Sequence, residues 1–285
     1  MRKNLLVFII IYMLVLPSTF ALANKTNNIR KISENNSGVP SWSIGDSWTY
    51  NVEISPSSDS LLTLDGFLEN LKMNVESKTS STYVIDIEGE ITGKMLFNID
   101  ETQISGNVRD GTINGNMAVE KSNLGTKNME IEINGKIVIA LIPVPLSVDL
   151  TIIFTPSYNM IDFPLNVGKK WVITDSDVSI NGRIKVGNNI DKEINSDTFV
   201  GGGNAEVKQI KTINVGAGSY ESYEIISDQD LDTIYYASDA GNIIKTFGNS
   251  FYYFESLEAT LLSTTFIAED PESPNIPSKP TGPRS

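Results

Sequence analysis

The sequence contains neither cysteine nor histidine in its 285 residues. Without cysteine it has no disulfide bonds and no thiolate metal ligands, so a fold outside the cell must be stabilised by burial alone. Without histidine, Ser-His-Asp and Cys-His catalysis and nearly all catalytic zinc sites are excluded. These two absences remove most of the chemistry that hydrolases and metalloenzymes share.

Catalytic motifs are lacking as well. No Gly-x-Ser-x-Gly turn, Ser-x-x-Lys motif, Walker loop or Gly-x-Gly-x-x-Gly turn occurs in the sequence. Carboxylates are present, and a glycosidase needs only two of them at a fixed separation. A carbohydrate-active enzyme is therefore an alternative, but no residue is assigned to catalysis and we expect no enzymatic activity.

Basic residues are scarce relative to acidic ones. The chain has 22 Lys and Arg against 35 Asp and Glu, a formal net charge of −13, and losing Arg2 and Lys3 with a signal peptide would make it 20 − 35 = −15. Such a charge repels phosphate backbones. We therefore expect no nucleic-acid partner.

The N-terminus has the pattern of a signal peptide. Arg2 and Lys3 precede an apolar run over residues 5–16, and Ala21-Leu22-Ala23 offers small residues for cleavage. The run is shorter than the roughly 20 residues that span a bilayer, so an uncleaved anchor is the weaker alternative. We predict a signal peptide over residues 1–23, a flexible leader over 24–40, a secreted or cell-surface location, and no transmembrane span after cleavage.

Residues 41–267 alternate apolar and polar side chains with the period of β-strands, as in 48–52, 129–141 and 146–154. We predict an all-β antiparallel domain, with at most one short helix at 59–73, where a strand from about 67 onward is favoured. The motif apolar-Gly-polar-polar-Trp occurs at 44–48 and again at 167–171, so the domain has two candidate halves, 41–158 and 159–267.

A second motif, Ile-polar-Gly-polar-apolar, occurs five times. Its glycines are Gly93, Gly106, Gly115, Gly135 and Gly182. Period two places these glycines on the buried face, where either sharp sheet curvature or a bulky side chain laid over the gap would explain them. Both explanations predict a strongly curved sheet, a half-barrel or a sandwich. The first four glycines are candidate ligand-facing positions.

Residues 215–247 are typical of a three-stranded meander. Its first turn carries Asp228, Asp230 and Asp232, and its second contains Gly241, which can adopt the positive φ of a tight turn. Alternating carboxylates suit Ca²⁺, although the spacing is not that of the helix-loop-helix calcium loop. The three aspartates are a candidate calcium site, and no other cofactor is expected.

The C-terminal residues 268–285 have a different composition. Proline recurs at every third residue from 271 to 283, which matches the turn of a polyproline II helix. We predict a semi-rigid proline-rich linker, with a disordered tail as the alternative.

Three segments resemble exported bacterial and archaeal β-proteins of largely unknown function. They are Phe163-Pro164-Leu165 with Val167-Gly168-Lys169 and Trp171, the stretch 215–225, and the stretch 235–245. Those proteins are similar in turn to LolA/LppX-like lipoprotein carriers, which implies a curved antiparallel half-barrel. This chain lacks the cysteine to which the lipoprotein members attach lipid, and its tail resembles the proline-rich linkers of archaeal surface proteins.

These observations predict a secreted or cell-surface β module that acts by binding or structural contact with envelope components. The first alternative is a carrier of an apolar, lipid-like ligand in the concave face of the sheet. The second is the carboxylate-dependent carbohydrate-active enzyme.

Overall fold

The computed structural model describes residues 38–56, 62–99, 102–188, 190–227, 233–248 and 254–268. These residues form one antiparallel sheet of 14 strands that is not closed, which confirms the predicted all-β fold with a curved sheet. The predicted signal peptide, residues 24–37 of the predicted leader, residues 269–285 of the predicted linker and the three turn aspartates Asp228, Asp230 and Asp232 lie outside the described residues. Within the described ranges the only helical segment is a 3₁₀ turn, Ser238–Ala240.

Eight strands make up what we call the long arm. In chain order they are β1 (Ser47–Pro56), β2 (Leu62–Lys78), β3 (Thr82–Ile99), β4 (Thr102–Glu120), β5 (Thr126–Ile139), β6 (Ile142–Tyr158), β8 (Ser176–Val186) and β9 (Ile190–Val200). Each strand pairs with the next one in this series. Residues 62–78 form β2, so the strand favoured from about residue 67 onward is confirmed, and the possible helix at 59–73 does not form in the described residues 62–73.

Six strands make up the short arm. They are β7 (Lys170–Val172), β10 (Asn204–Val215), β11 (Gly218–Ser227), β12 (Thr233–Ala237), β13 (Asn242–Gly248) and β14 (Phe254–Thr264). The meander predicted over 215–247 corresponds to β11, β12 and β13, and Gly241 has the expected positive φ of 62°. The two arms join where β14 pairs with β1, and β7 and β9 are the outer strands of the sheet.

The long arm bends along a diagonal line of β-bulges. The pairing register shifts near Asn51 in β1, Asn70 in β2, Thr92 in β3 and Asp110 in β4. Asn70 and Asp110 have positive φ, and the backbone N–H of Asn70 donates to the Asn51 side-chain oxygen at 3.0 Å. Because a bulge bends and twists its strand, this alignment folds the arm over its own inner face.

The glycines of the repeated motif let neighbouring backbones approach. A Cβ added to Gly93, Gly106 or Gly115 would lie 2.1–2.3 Å from a carbonyl oxygen of the adjacent strand, and one added to Gly135 would lie 2.9 Å from the Cα of Gly111. No side chain fits at such distances. These glycines lie within strands, as predicted, and the space left by each missing side chain is taken up by the sheet itself.

The inner faces of the two arms share one hydrophobic core. Trp48, fully buried in β1, lies 4.8 Å from Trp42 ring to ring and donates from its Nε1 to the Ala240 carbonyl at 2.7 Å. Trp42 Nε1 donates to the Gly241 carbonyl at 3.0 Å. The two indoles therefore fix the start of the long arm against the β12–β13 turn of the short arm.

Candidate functional site

A polar trough crosses the outer face of the long arm. It has a volume of about 350 Å³ and is lined by Asn114, Gly115, Asn116, Glu130, Ile131, Glu132, Asp149, Leu150, Thr151, Asn181 and Gly182. These residues come from β4, β5, β6 and β8, which are neighbours in the sheet. The trough therefore runs across the strands rather than along them.

Strand alternation and register determine the walls and floor of this trough. One wall follows the ladder Asn116, Glu130, Thr151 and Asn181, the other contains Asn114, Glu132 and Asp149, and the residues between them form the floor. Ile131 and Leu150 turn their side chains into the core. Four strands about 4.8 Å apart, with walls two residues apart, give a trough about 14 Å long and about 7 Å wide.

The trough is negatively charged. Glu130, Glu132 and Asp149 line it, and no basic residue within the described ranges does. Arg183 lies opposite Asp149 in the ladder but binds Asp191 instead, with Nε 2.5 Å from Oδ1 and Nη2 2.7 Å from Oδ2. The hydrogen bond from Arg183 lowers the pKa of Asp191. Because Arg183 is paired with Asp191 and not with the trough carboxylates, those carboxylates repel anions and accept hydrogen bonds.

Amide and hydroxyl groups in the trough are available for binding. Within the described ranges, the side chains of Asn114, Thr151 and Asn181 make no hydrogen bond to other residues, and all three are exposed. Asn116 Nδ2 donates to Glu130 at 3.2 Å, which leaves its carbonyl oxygen as an acceptor. Together these groups can both donate to and accept from a ligand with many hydroxyls.

A separate cavity of about 70 Å³ lies on the inner face, between the arms. Its lining combines methionine, aromatic and aliphatic side chains with a few uncharged polar ones: Trp42, Met73, Met117, Val119, Leu124, Thr126, Tyr158, Asn159, Met160, Ile161, Phe163, Tyr236, Asn242 and Ile243. The ring of Phe163 meets that of Tyr236 edge-on at 5.2 Å. Segment 159–163, between β6 and β7, contributes one side of this cavity.

Tyr236 is the unusual residue in this lining. It is 1% exposed, and its hydroxyl has no hydrogen-bond partner among the described residues. Burial, with a smaller contribution from Tyr223, raises the pKa of Tyr236 well above its usual value, so the hydroxyl keeps its proton. An unpaired buried hydroxyl is unfavourable unless something else accepts its hydrogen bond.

The sequence-predicted site residues are dispersed. Of the four candidate ligand-facing glycines, Gly115 lies in the floor of the polar trough, Gly93 and Gly106 lie beyond it towards the β3–β4 turn, and Gly135 pairs with Leu146. Their role in ligand binding stays a prediction, as does the calcium site at Asp228, Asp230 and Asp232. In the part of the chain that is described, no three acidic residues come close enough together to hold a metal ion.

No protein-family model matches the chain, and no curated protein or solved structure matches it either. The described residues include no helix long and apolar enough to cross a bilayer.

Proposed function

We propose that this chain is a non-catalytic binding module at the cell surface, and that the polar trough is where it contacts the envelope. The observation that carries the proposal is the composition of the walls, which are amide, hydroxyl and carboxylate groups from four adjacent strands with no cation among them. Such a surface suits a neutral, hydroxyl-rich polymer, and we propose a glycan strand as the ligand class.

The dimensions of the trough support an extended ligand. A channel about 14 Å long and 7 Å wide admits a single polymer strand lying across the sheet, with each wall within hydrogen-bonding reach. An anionic polymer would meet three carboxylates that no lining cation offsets. Charge therefore selects neutral glycans over acidic ones.

Affinity electrophoresis in gels that contain neutral or acidic polysaccharides tests this proposal. We expect neutral polymers to retard the chain, and the double change Asn116→Ala with Asn181→Ala to weaken binding about tenfold, because each amide contributes roughly 0.5–1.5 kcal/mol. Asn107→Ala is the matched control, since Asn107 is an exposed β4 amide outside the trough. Retardation by acidic polymers alone, or equal retardation of the double variant, would contradict the proposal.

The same polysaccharides also test the enzymatic alternative. The ladder places Glu132 opposite Asp149, so two carboxylates do face each other in the trough. We expect no new reducing ends after long incubation. Their appearance in the parent chain, and their loss in Glu132→Gln or Asp149→Asn, would replace the binding module by a carbohydrate-active enzyme.

Carriage of a lipid-like ligand is the second candidate function: the largely apolar lining of the inner cavity favours the apolar part of such a ligand, and the Tyr236 hydroxyl, unpaired among the described residues, favours a polar group on it. Methionine and aromatic side chains make up half of the lining of the inner cavity, and methionine adapts readily to the shape of a guest. Native mass spectrometry of the gently purified chain, exported by a lipid-rich host, should then show a bound amphiphile. A mass equal to that of the chain alone would count against this function.

A further inference from the structure

Resting on this second candidate function, we propose that the inner cavity binds the end of a neutral lipid-like molecule, and that the Tyr236 hydroxyl donates a hydrogen bond to a carbonyl or ether oxygen of that molecule. The proposal joins three observations on the described residues: a cavity with no charged lining residue, a donor with no partner, and a partly exposed mouth.

The lining determines the charge of the ligand. None of the lining residues in the described part of the chain is acidic or basic. A carboxylate or phosphate in this cavity would lose its hydration without gaining a cation, which is far more unfavourable than burying a neutral oxygen. The ligand group inside the cavity is therefore uncharged.

Hydrogen bonding within the lining determines the polarity of the ligand. The side-chain oxygens of Asn159 and Asn242 already accept the backbone N–H groups of Ile161 and Ile243, at 3.1 Å and 2.8 Å. Tyr236 has no such partner among the described residues. Because its hydroxyl is buried and protonated, it favours a ligand with an acceptor over a pure hydrocarbon.

The size of the cavity determines how much of the ligand enters. Sites for whole small molecules measure about 300–1,000 Å³, whereas this cavity measures about 70 Å³. It therefore holds only one end of a chain. The mouth of the cavity is formed by its partly exposed lining residues, which are Leu124, Asn159, Phe163 and Asn242. The rest of the ligand leaves the cavity between them.

Three probes of equal chain length separate the contributions of polarity and charge. 2-Dodecanone, dodecane and dodecanoate would each be titrated into the full-length protein purified from an expression host that exports it. The fluorescence of Trp42, which lines the cavity, would report binding. We expect the ketone to bind about tenfold more tightly than the alkane, because one hydrogen bond to an otherwise unpaired donor is gained. The carboxylate should bind most weakly.

The change Tyr236→Phe tests whether the Tyr236 hydroxyl is the group that makes the cavity prefer the ketone to the alkane. The change removes a hydroxyl that bonds to nothing in the described chain, so the melting temperature should stay the same or rise. The affinity for the ketone should fall to that for the alkane, with the alkane itself unaffected. Tyr50→Phe is the control, because Tyr50 is also fully buried but already donates to the Ile243 carbonyl at 3.2 Å.

The outcomes distinguish this inference from the function on which it rests. If none of the probes binds, the apolar-ligand function fails and the inference fails with it. If dodecanoate binds best, or if the preference for the ketone survives Tyr236→Phe, the chain still binds apolar ligands but the inference is overturned.

Discussion

The long arm and the short arm bury their residues in different ways. In β6 of the long arm, positions 146–154 alternate between buried and more exposed residues, whereas all five residues of β12 in the short arm are buried. One face of the long arm is therefore left for solvent or a ligand. Around β12 the short arm buries both of its faces in its own packing, whereas its strand β10 is largely exposed.

A network around Glu224 in β11 explains the second buried face. Its carboxylate accepts hydrogen bonds from Gln209 Nε2 at 2.6 Å and from the Tyr235 hydroxyl at 2.8 Å, and Lys211 Nζ lies at 3.5 Å. The ring of Phe247 lies 6.3 Å from that of Tyr235. In the short arm, the polar groups of this network are hydrogen-bonded to one another. In the long arm, by contrast, polar groups of the trough face outward and can contact a ligand.

The largest predicted effect comes from breaking the contact between the arms. Trp48→Ala removes a fully buried indole and its hydrogen bond to the Ala240 carbonyl, and should lower the free energy of unfolding by about 3–5 kcal/mol. Urea denaturation measures the change. Trp171→Ala, at a half-buried indole, should lower stability less, and equal losses would show that Trp48 does not hold the arms together.

The next effect concerns the curvature of the long arm. A Cβ at residue 115 would lie 2.1 Å from the Glu130 carbonyl oxygen, so Gly115→Ala should destabilise the fold by about 3 kcal/mol. Gly38→Ala is the control, because a Cβ there meets nothing within 4 Å, and it should change stability by less than about 0.5 kcal/mol. A neutral Gly115→Ala would mean that the strands do not approach as closely as described.

The smallest predicted effect tests whether the charge of Glu224 stabilises the short arm. Burial raises the pKa of Glu224, but hydrogen bonds from Gln209 and Tyr235 and the charge of Lys211 outweigh it, so the pKa lies below its usual value. A lowered pKa stabilises the fold above the unfolded pKa of about 4.3, and this contribution is lost as the pH falls through the folded value. Glu224→Gln should therefore lower stability by about 2 kcal/mol at pH 7.

The same variant should differ little from the parent chain once the pH lies below the folded pKa of Glu224, where both carry an uncharged side chain at residue 224. Denaturation of both proteins at a series of pH values measures the difference. A difference that stays constant as the pH falls from 7 through the acid unfolding range would show that the Glu224 charge is not what closes the outer face of the short arm.

Local patterns predicted the strands of the long arm because one face of each strand is buried. The alternation over 129–141 and 146–154 corresponds to β5 and β6, and those two strands pair with each other. Carried to the end of the first range, the same alternation places Leu141 on the apolar face, and there the prediction was wrong. Ala140 and Leu141 form a two-residue turn with φ of 46° and 72°, and Leu141 is 93% exposed, although such turns favour Asn-Gly.

The trough was not predicted because it depends on long-range register. Alternation places Asn116, Glu130, Thr151 and Asn181 on an outer face, but only the pairing of four strands brings them into one row. The unpaired hydroxyl of Tyr236 was missed for a similar reason. An aromatic residue in a strand is expected to be buried, and the sequence does not reveal which hydroxyl lacks a partner.

The joint between the arms also bears on how the protein folds. Trp48 of β1 pairs with Thr264 of β14, a separation of 264 − 48 = 216 residues, whereas β1 to β5 each pair with the strand that follows in sequence. Closing so long a loop is slower than forming hairpins. Most of the long arm can assemble hairpin by hairpin during synthesis, but the middle of the sheet forms only after the last strand has been made.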